Sequence, residues 1–175
     1  MLTLEGTLLA PVNRLYILMG KAVRAFLELL VDSAIFIILL LFLHPRIDWP
    51  MLGVSIIGLF CLYIIWISVD FIVSGIQLSE EGLASLLSEY VPRVIMFISA
   101  VYYPVETLPK ILRTLSYANP VYHAVVLFRS AFYLPAKDVN ILVSISILLI
   151  LACIMPFVSV RLFDEIYKKY GIKGY

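Results

Sequence analysis

Apolar residues gather in four stretches of the chain, and the positions between them hold most of the charge and proline. The first stretch is 26–43 and ends in the uninterrupted run SAIFIILLLFL. The second, 51–69, has nineteen residues and no Asp, Glu, Lys or Arg. As a helix it would be about 28 Å long, close to the hydrocarbon thickness of a bilayer. The third, 84–101, is less uniform and carries Glu89 and Arg93 at the i, i+4 spacing that favours an ion pair. The fourth, 139–160, is charge-free over 22 residues, with Pro156 near its end. Each stretch predicts a membrane-spanning helix.

The connecting segments follow their own patterns. Residues 1–25 are more polar. Asn13 is a candidate N-cap, Leu15, Leu18, Met19 and Ala22 share one helical face, and Arg14, Lys21 and Arg24 fall among the polar positions. This predicts an amphipathic helix at the membrane surface, or a docking element for a soluble partner. Residues 44–50, HPRIDWP, form a turn between prolines, with Trp49 suited to an interface. Asp70 closes the second span, and a helical extension then leads to a turn near 79–82. Arg24, Glu28 and Asp32 lie at i, i+4, i+8 on one face, so Asp32 is expected to be immersed and paired within the fold.

The segment 102–134 breaks the apolar rhythm. It is too polar to span, is rich in Tyr, Leu, Val and Phe, and is punctuated by Pro104, Pro109 and Pro120. It predicts short broken helices held at a membrane surface or dipping into it. Arg129 there has two candidate acidic partners, Glu106 and Asp32.

Composition agrees with a membrane protein. The 175 residues are 63% hydrophobic and 14% charged, against roughly 45–50% and 25% in soluble domains. The net charge of +1 gives no basic field for nucleic acid. Cys61 and Cys153 fall inside predicted spans and read as packing residues. Three Lys/Arg in 1–25 and four in the tail 161–175 favour two cytoplasmic termini. Lys110, Arg113, Arg129 and Lys137 then lie on the outer side, which fits a packed element better than a free loop.

Catalytic and cofactor patterns are missing from the sequence. It has no H-E-x-x-H, no G-x-S-x-G and no P-loop, because Leu15 and Ala22 stand where Gly20-Lys21 would need Gly and Ser/Thr. His44 and His123 are isolated. No cofactor, metal or enzymatic activity is expected. Asn119-Pro120 suggests the half-helix start of water channels, but those need two such motifs and the chain has one.

The central segment resembles the permease subunits of ABC type-2 exporters. Their pattern is S-G/A-x-x-Y/F-P, then L-P-x-x-L-R-x-L-S-Y-x-N-P, then Y/H-A-x-x-x-x-R. Here it reads Ser99-Ala100-Val101-Tyr102-Tyr103-Pro104, Leu108-Pro109, Leu112-Arg113-Thr114-Leu115-Ser116-Tyr117, Asn119-Pro120, His123-Ala124 and Arg129. Glu5-Gly6-Thr7, Leu9 to Arg14 and Leu18 to Lys21 look like that family's segment between its second and third spans, and the ending YGIKGY looks like its basic tail.

The resemblance implies an all-α integral membrane fold of four spans. To these it adds an N-terminal coupling helix and a re-entrant helical pair before the last span, in a single membrane domain over 1–175. Residues 1–25 would touch a separate ABC ATPase, through Glu5, Gly6, Pro11, Asn13, Arg14 and Lys21. The segment 102–134 would form the outer gate, through Tyr103, Pro104, Pro109, Tyr117, Asn119, Pro120 and Arg129. A helix would run from Pro109 to about Tyr117, and Asn119-Pro120 would break and restart it. Tyr102, Tyr103, Tyr117 and Tyr122 would point their hydroxyls toward water at the interface. Glu28 and Asp32 would face a transport path. The implied partners are the ATPase, a second permease subunit and membrane lipid. The family's pattern has an interface helix and two more spans ahead of the coupling segment. The rival expectation is therefore a non-transporting remnant, or a small membrane assembly partner.

Overall fold

The computed structural model describes residues 14–43, 46–77, 81–132 and 140–170. Its described regular structure is helical: α1 (Arg14–Leu43), α2 (Trp49–Gln77), α3 (Glu81–Ile98), a 3₁₀ turn (Val105–Thr107), α4 (Lys110–Ala118), α5 (Pro120–Ala131) and α6 (Ile141–Tyr170). The chain divides into two units, one ending at Pro45 and one starting at Arg46.

The first unit holds α1, a helix of 30 residues. From Arg14 the segments read as 1–25 and 26–43 run on as one helix, since no proline interrupts the chain there and its single glycine, Gly20, has open space around it. Arg24 Nε and Glu28 Oε1 pair at 2.8 Å in an exposed position. Asp32 does not join them. It is exposed and has no ion-pair partner among the described residues, contrary to the expectation of an acid paired within the fold.

The second unit is organised on α2, α5 and α6, which pack on one another, with α3 and α4 against them. The helices outrun their apolar windows. α2 continues through Asp70 to Gln77, and α6 absorbs Pro156 and runs past Arg161 to Tyr170. Charge ends a span's apolar window, but a helix end needs lost backbone bonds, and Asp70 and Arg161 remove none.

The face α2 turns inward is built mostly from small residues. Ser55, Gly58, Cys61, Ile65, Ser68 and Gly75 are buried at spacings of three, four and seven, which keeps them on one helical stripe. Small side chains let helix backbones approach closely in a membrane bundle. At Gly58 the approach is such that a Cβ would lie 2.7 Å from Leu127 Cδ1 and 3.4 Å from Leu148 Cδ1. Cys61, Ile65, Ala124, Leu127 and Leu148 form the main core, drawn from α2, α5 and α6. A second core joins Ala100, Val105, Leu108, Tyr122 and Val126 around the 3₁₀ turn. Tyr122 is therefore a core residue, not an interfacial one: its ring packs on those of Tyr117 and His123, at 5.5 Å in each case.

Among the described residues two helices, over Trp49–Ile76 and Ile141–Ile166, are long and apolar enough to cross a membrane. Their outward faces carry large apolar side chains such as Ile56, Phe60, Leu142, Ile150 and Phe157. A soluble monomer would not leave so continuous an apolar surface in water, whereas lipid covers it without cost.

Candidate functional site

The site forms where α3 ends. A helix leaves its last carbonyls without intrahelical partners, and in an apolar setting each unpaired carbonyl is costly. Around the α3 terminus carbonyls are taken up by side chains from the segment that follows, and Ile95 O also accepts from Ser99 N–H (2.9 Å). Ser116 Oγ, on α4, donates to Ile98 O (2.6 Å) and shares its hydrogen with Leu112 O (2.9 Å). Asn119 Nδ2 donates to Ile95 O (3.1 Å) and to Ser99 Oγ (2.8 Å). The Tyr103 hydroxyl donates to Phe97 O. Arg129 Nη2, on α5, donates to Ala100 O (3.1 Å) and Val101 O (3.0 Å).

The chain turns away from α3 at Ala100, whose φ of 53° is left-handed. That conformation costs a non-glycine residue roughly 1–2 kcal/mol, and it is the usual way a helix reverses after its last turn. The Arg129 guanidinium, fixed just past α3, brings positive charge to the negative end of that helix dipole. Arg129 does not bond to Glu106. Its partners are carbonyls, because the chain reversal leaves Ala100 O and Val101 O facing it.

Asn119 does a second job. Its Oδ1 accepts from Val121 N–H at 3.0 Å and caps α5, with Pro120 in the first turn. Proline is preorganised there and lacks only an N–H the helix would leave unpaired. The break and restart expected at Asn119-Pro120 is present. Pro109 stands one position earlier than expected, as the N-cap of α4, with its carbonyl accepting from Arg113 N–H at 3.0 Å. Pro104 caps the 3₁₀ turn, and its carbonyl accepts from both the Thr107 N–H (3.1 Å) and the Thr107 hydroxyl (2.7 Å). Arg113 Nη2 donates to Glu106 O (2.5 Å) and Leu108 O (3.3 Å), tying the turn to α4.

The hairpin made by α4 and α5 is also fixed to its other neighbours. Ser55 Oγ on α2 donates to Leu127 O at 2.7 Å and to Met51 O at 2.8 Å. Asp48 N–H donates to Ala131 O at 2.9 Å. His123 bridges Tyr117 O (2.9 Å) and Ser144 Oγ (3.1 Å), joining α5 to α4 and α6. Burial holds the His123 imidazole below the ordinary histidine range, against the opposing pull of its bond to Tyr117 O.

All seven residues expected at the outer gate are thus placed together around the α3 terminus or in the hairpin fastened to it. The hydroxyl of Tyr103 donates to the Phe97 carbonyl at an exposed position. Of the coupling residues, Glu5, Gly6, Pro11 and Asn13 lie outside the described residues. Arg14 opens α1 and Lys21 follows within it. Sequence reasoning gave no role to Ser55, Ser99, Ser116, His123 or Ser144. The available signal was a lone serine inside an otherwise apolar helix, where a hydroxyl must find a carbonyl.

A family model described as ABC-2 type transporter matches residues 3–133, well over half of the chain. The chain belongs to the ABC-2 type transporter family. The match runs through the α3 terminus and the α4–α5 hairpin and stops before α6. No curated protein and no solved structure matches the chain. As an ABC-2 chain it is the membrane permease component of an ABC-type transporter, not a catalytic domain.

Proposed function

We propose that this chain is the permease subunit of an exporter driven by a separate ABC ATPase. The observation that carries the reading is the family match over 3–133, which takes in both the coupling segment and the hairpin. In this account the apolar part of α1, together with α2, α3 and α6, forms four spans in one membrane domain with both termini cytoplasmic. At 18 residues α3 would measure about 27 Å. The α4–α5 hairpin would be re-entrant on the outer side. Irregular backbone survives at membrane depth only where protein satisfies it, and the side-chain bonds to the α3 carbonyls supply that condition.

Residues 1–25 would receive the ATPase, with Arg14 and Lys21 toward the partner. Closure of two ATPases around ATP would rock two such permease subunits between inward- and outward-open states. Glu28 and Asp32 would face the pathway. The exposure of Asp32 leaves it free for that role or for a second subunit.

Co-expression with an ABC ATPase subunit tests the reading. The ATPase should co-elute with the permease, and Arg14→Glu should weaken that association by about tenfold, equivalent to roughly 1.4 kcal/mol. An ATPase that never co-elutes, or that binds Arg14→Glu as well as the parent, would overturn the coupling role.

A further inference from the structure

One side of α3 is open and mixes charge with large apolar groups. Leu86, Glu89, Tyr90, Arg93, Val94 and Phe97 are all exposed, and their three- and four-residue intervals keep them on one side of the helix. Leu87, Val91, Ile95 and Ile98 are half-buried and form the packed side. Arg93 Nη2 lies 3.1 Å from Glu89 Oε1, and the guanidinium stands over the Tyr90 ring, 5.8 Å from its centroid. The pair stays open, with the Arg93 and Glu89 side chains 68% and 52% exposed. Among the described residues, the second Glu89 oxygen and the remaining Arg93 N–H groups have no partner.

The depth of the pair makes its exposure costly. Read as a span, α3 places Glu89 about 12 Å from its first residue and about 13.5 Å from its last. Charged groups at that depth are expensive in lipid and turn to polar surroundings. Acyl chains alone would leave the pair unsolvated. Water alone would leave Leu86, Val94 and Phe97 uncovered on either side of it. An occupant with a polar head and an apolar chain satisfies both.

The order of groups along the helix narrows the chemistry of that occupant. The pair has no net charge, so a head with a single charge would meet one partner of its own sign. A zwitterion meets both, its cation at the carboxylate and its anion at the guanidinium. In a zwitterionic lipid the phosphate lies between the ammonium and the chain. α3 lays out the same order: Glu89, then Arg93 about 6 Å further on, then the apolar Val94 and Phe97.

We propose that the open side of α3 binds a zwitterionic amphiphile, its ammonium at Glu89, its phosphate at Arg93 and its chain along Val94 and Phe97. The Tyr90 ring under the guanidinium holds Arg93 in place for the phosphate. The inference rests on the reading of α3 as a span. It does not depend on the ATPase or on the direction of transport.

The test uses the full chain in maltoside micelles and three photoactivatable single-chain amphiphiles of equal chain length, with phosphocholine, phosphoglycerol or trimethylammonium heads. After irradiation, peptide mapping reads the label on residues 86–97. The phosphocholine probe should label this segment about tenfold more than either singly charged probe. Glu89→Gln should move the preference to the phosphoglycerol probe, and Arg93→Gln to the trimethylammonium probe. Opposite shifts cannot come from a shared loss of fold, and either variant suffices if the other misfolds. The proposal is overturned by equal labelling from the three heads, by no label on 86–97 from any of them, or by two variants that shift alike. A nitroxide at Val94→Cys, with Cys61 and Cys153 replaced by Ala, reads the depth of α3 separately. In nanodiscs it should be relaxed more by oxygen than by a water-soluble nickel chelate. The converse would remove the span and the proposal together, whereas oxygen dominance without a head-group preference would overturn the proposal alone.

Discussion

Asn119 uses both ends of its amide: the oxygen caps α5, while the nitrogen reaches back to Ile95 O and Ser99 Oγ at the end of α3. Asn119→Ala should lower stability by about 2–3 kcal/mol, from one lost cap and two lost hydrogen bonds. Asn119→Asp keeps the cap but sets a carboxylate against the Ile95 carbonyl, so it should be no better than alanine. Thermal unfolding in detergent reads both. An aspartate variant as stable as the parent would contradict the assigned roles. At this scale the sequence was partly readable. The Asn-Pro pair announced a helix restart because the cap and the fixed proline φ are local properties. The partners of Arg129 were not legible. Charge pairing suggested Glu106 or Asp32, but carbonyls bared by a distant helix end carry no mark in the sequence. The serines were equally silent, since a hydroxyl inside an apolar run looks the same whether its carbonyl lies one turn back or on another helix.

Helices followed the apolar periodicity in type and order, and departed from it in length. α2 and α6 pass through Asp70 and Arg161 because charge near a span's end meets headgroups or water without breaking the backbone ladder. α1 is continuous from Arg14 because nothing between the amphipathic and apolar parts removes a helical bond. How closely two helices approach was legible only as a spacing of small residues, and Gly58 shows its consequence. Gly58→Ala forces a Cβ to within 2.7 Å of Leu127 Cδ1, in a core where Leu127 has no exposed surface to yield into. The expected loss is about 1–3 kcal/mol. Gly20→Ala, with open space around it, should instead stabilise α1 by up to about 1 kcal/mol. A thermal scan that ranks the two variants the other way would mean α2 and α5 are not packed as described.

For the whole molecule, the membrane class was plain from composition, and the family match runs over 3–133, which includes the segment that looks least like a span. The motif residues of that segment turn out to be fasteners: Ser116, Asn119 and Arg129, with Tyr103, close the end of α3 and hold the hairpin in place. Sidedness was legible only through the distribution of Lys and Arg, and that signal was mixed because Lys110, Arg113 and Arg129 sit in the hairpin. Two of them are bound to carbonyls, which makes them parts of a packed element and weakens them as topology signals. The account's central claim is that the hairpin lies on the face opposite the termini. A direct test introduces single cysteines at Thr114, on α4, and at Lys169, near the end of α6, with Cys61 and Cys153 replaced, and labels intact cells with a membrane-impermeant maleimide. The account predicts labelling of Thr114→Cys in intact cells and of Lys169→Cys only after permeabilisation. Labelling of Lys169→Cys from outside, or of Thr114→Cys only after permeabilisation, would contradict it.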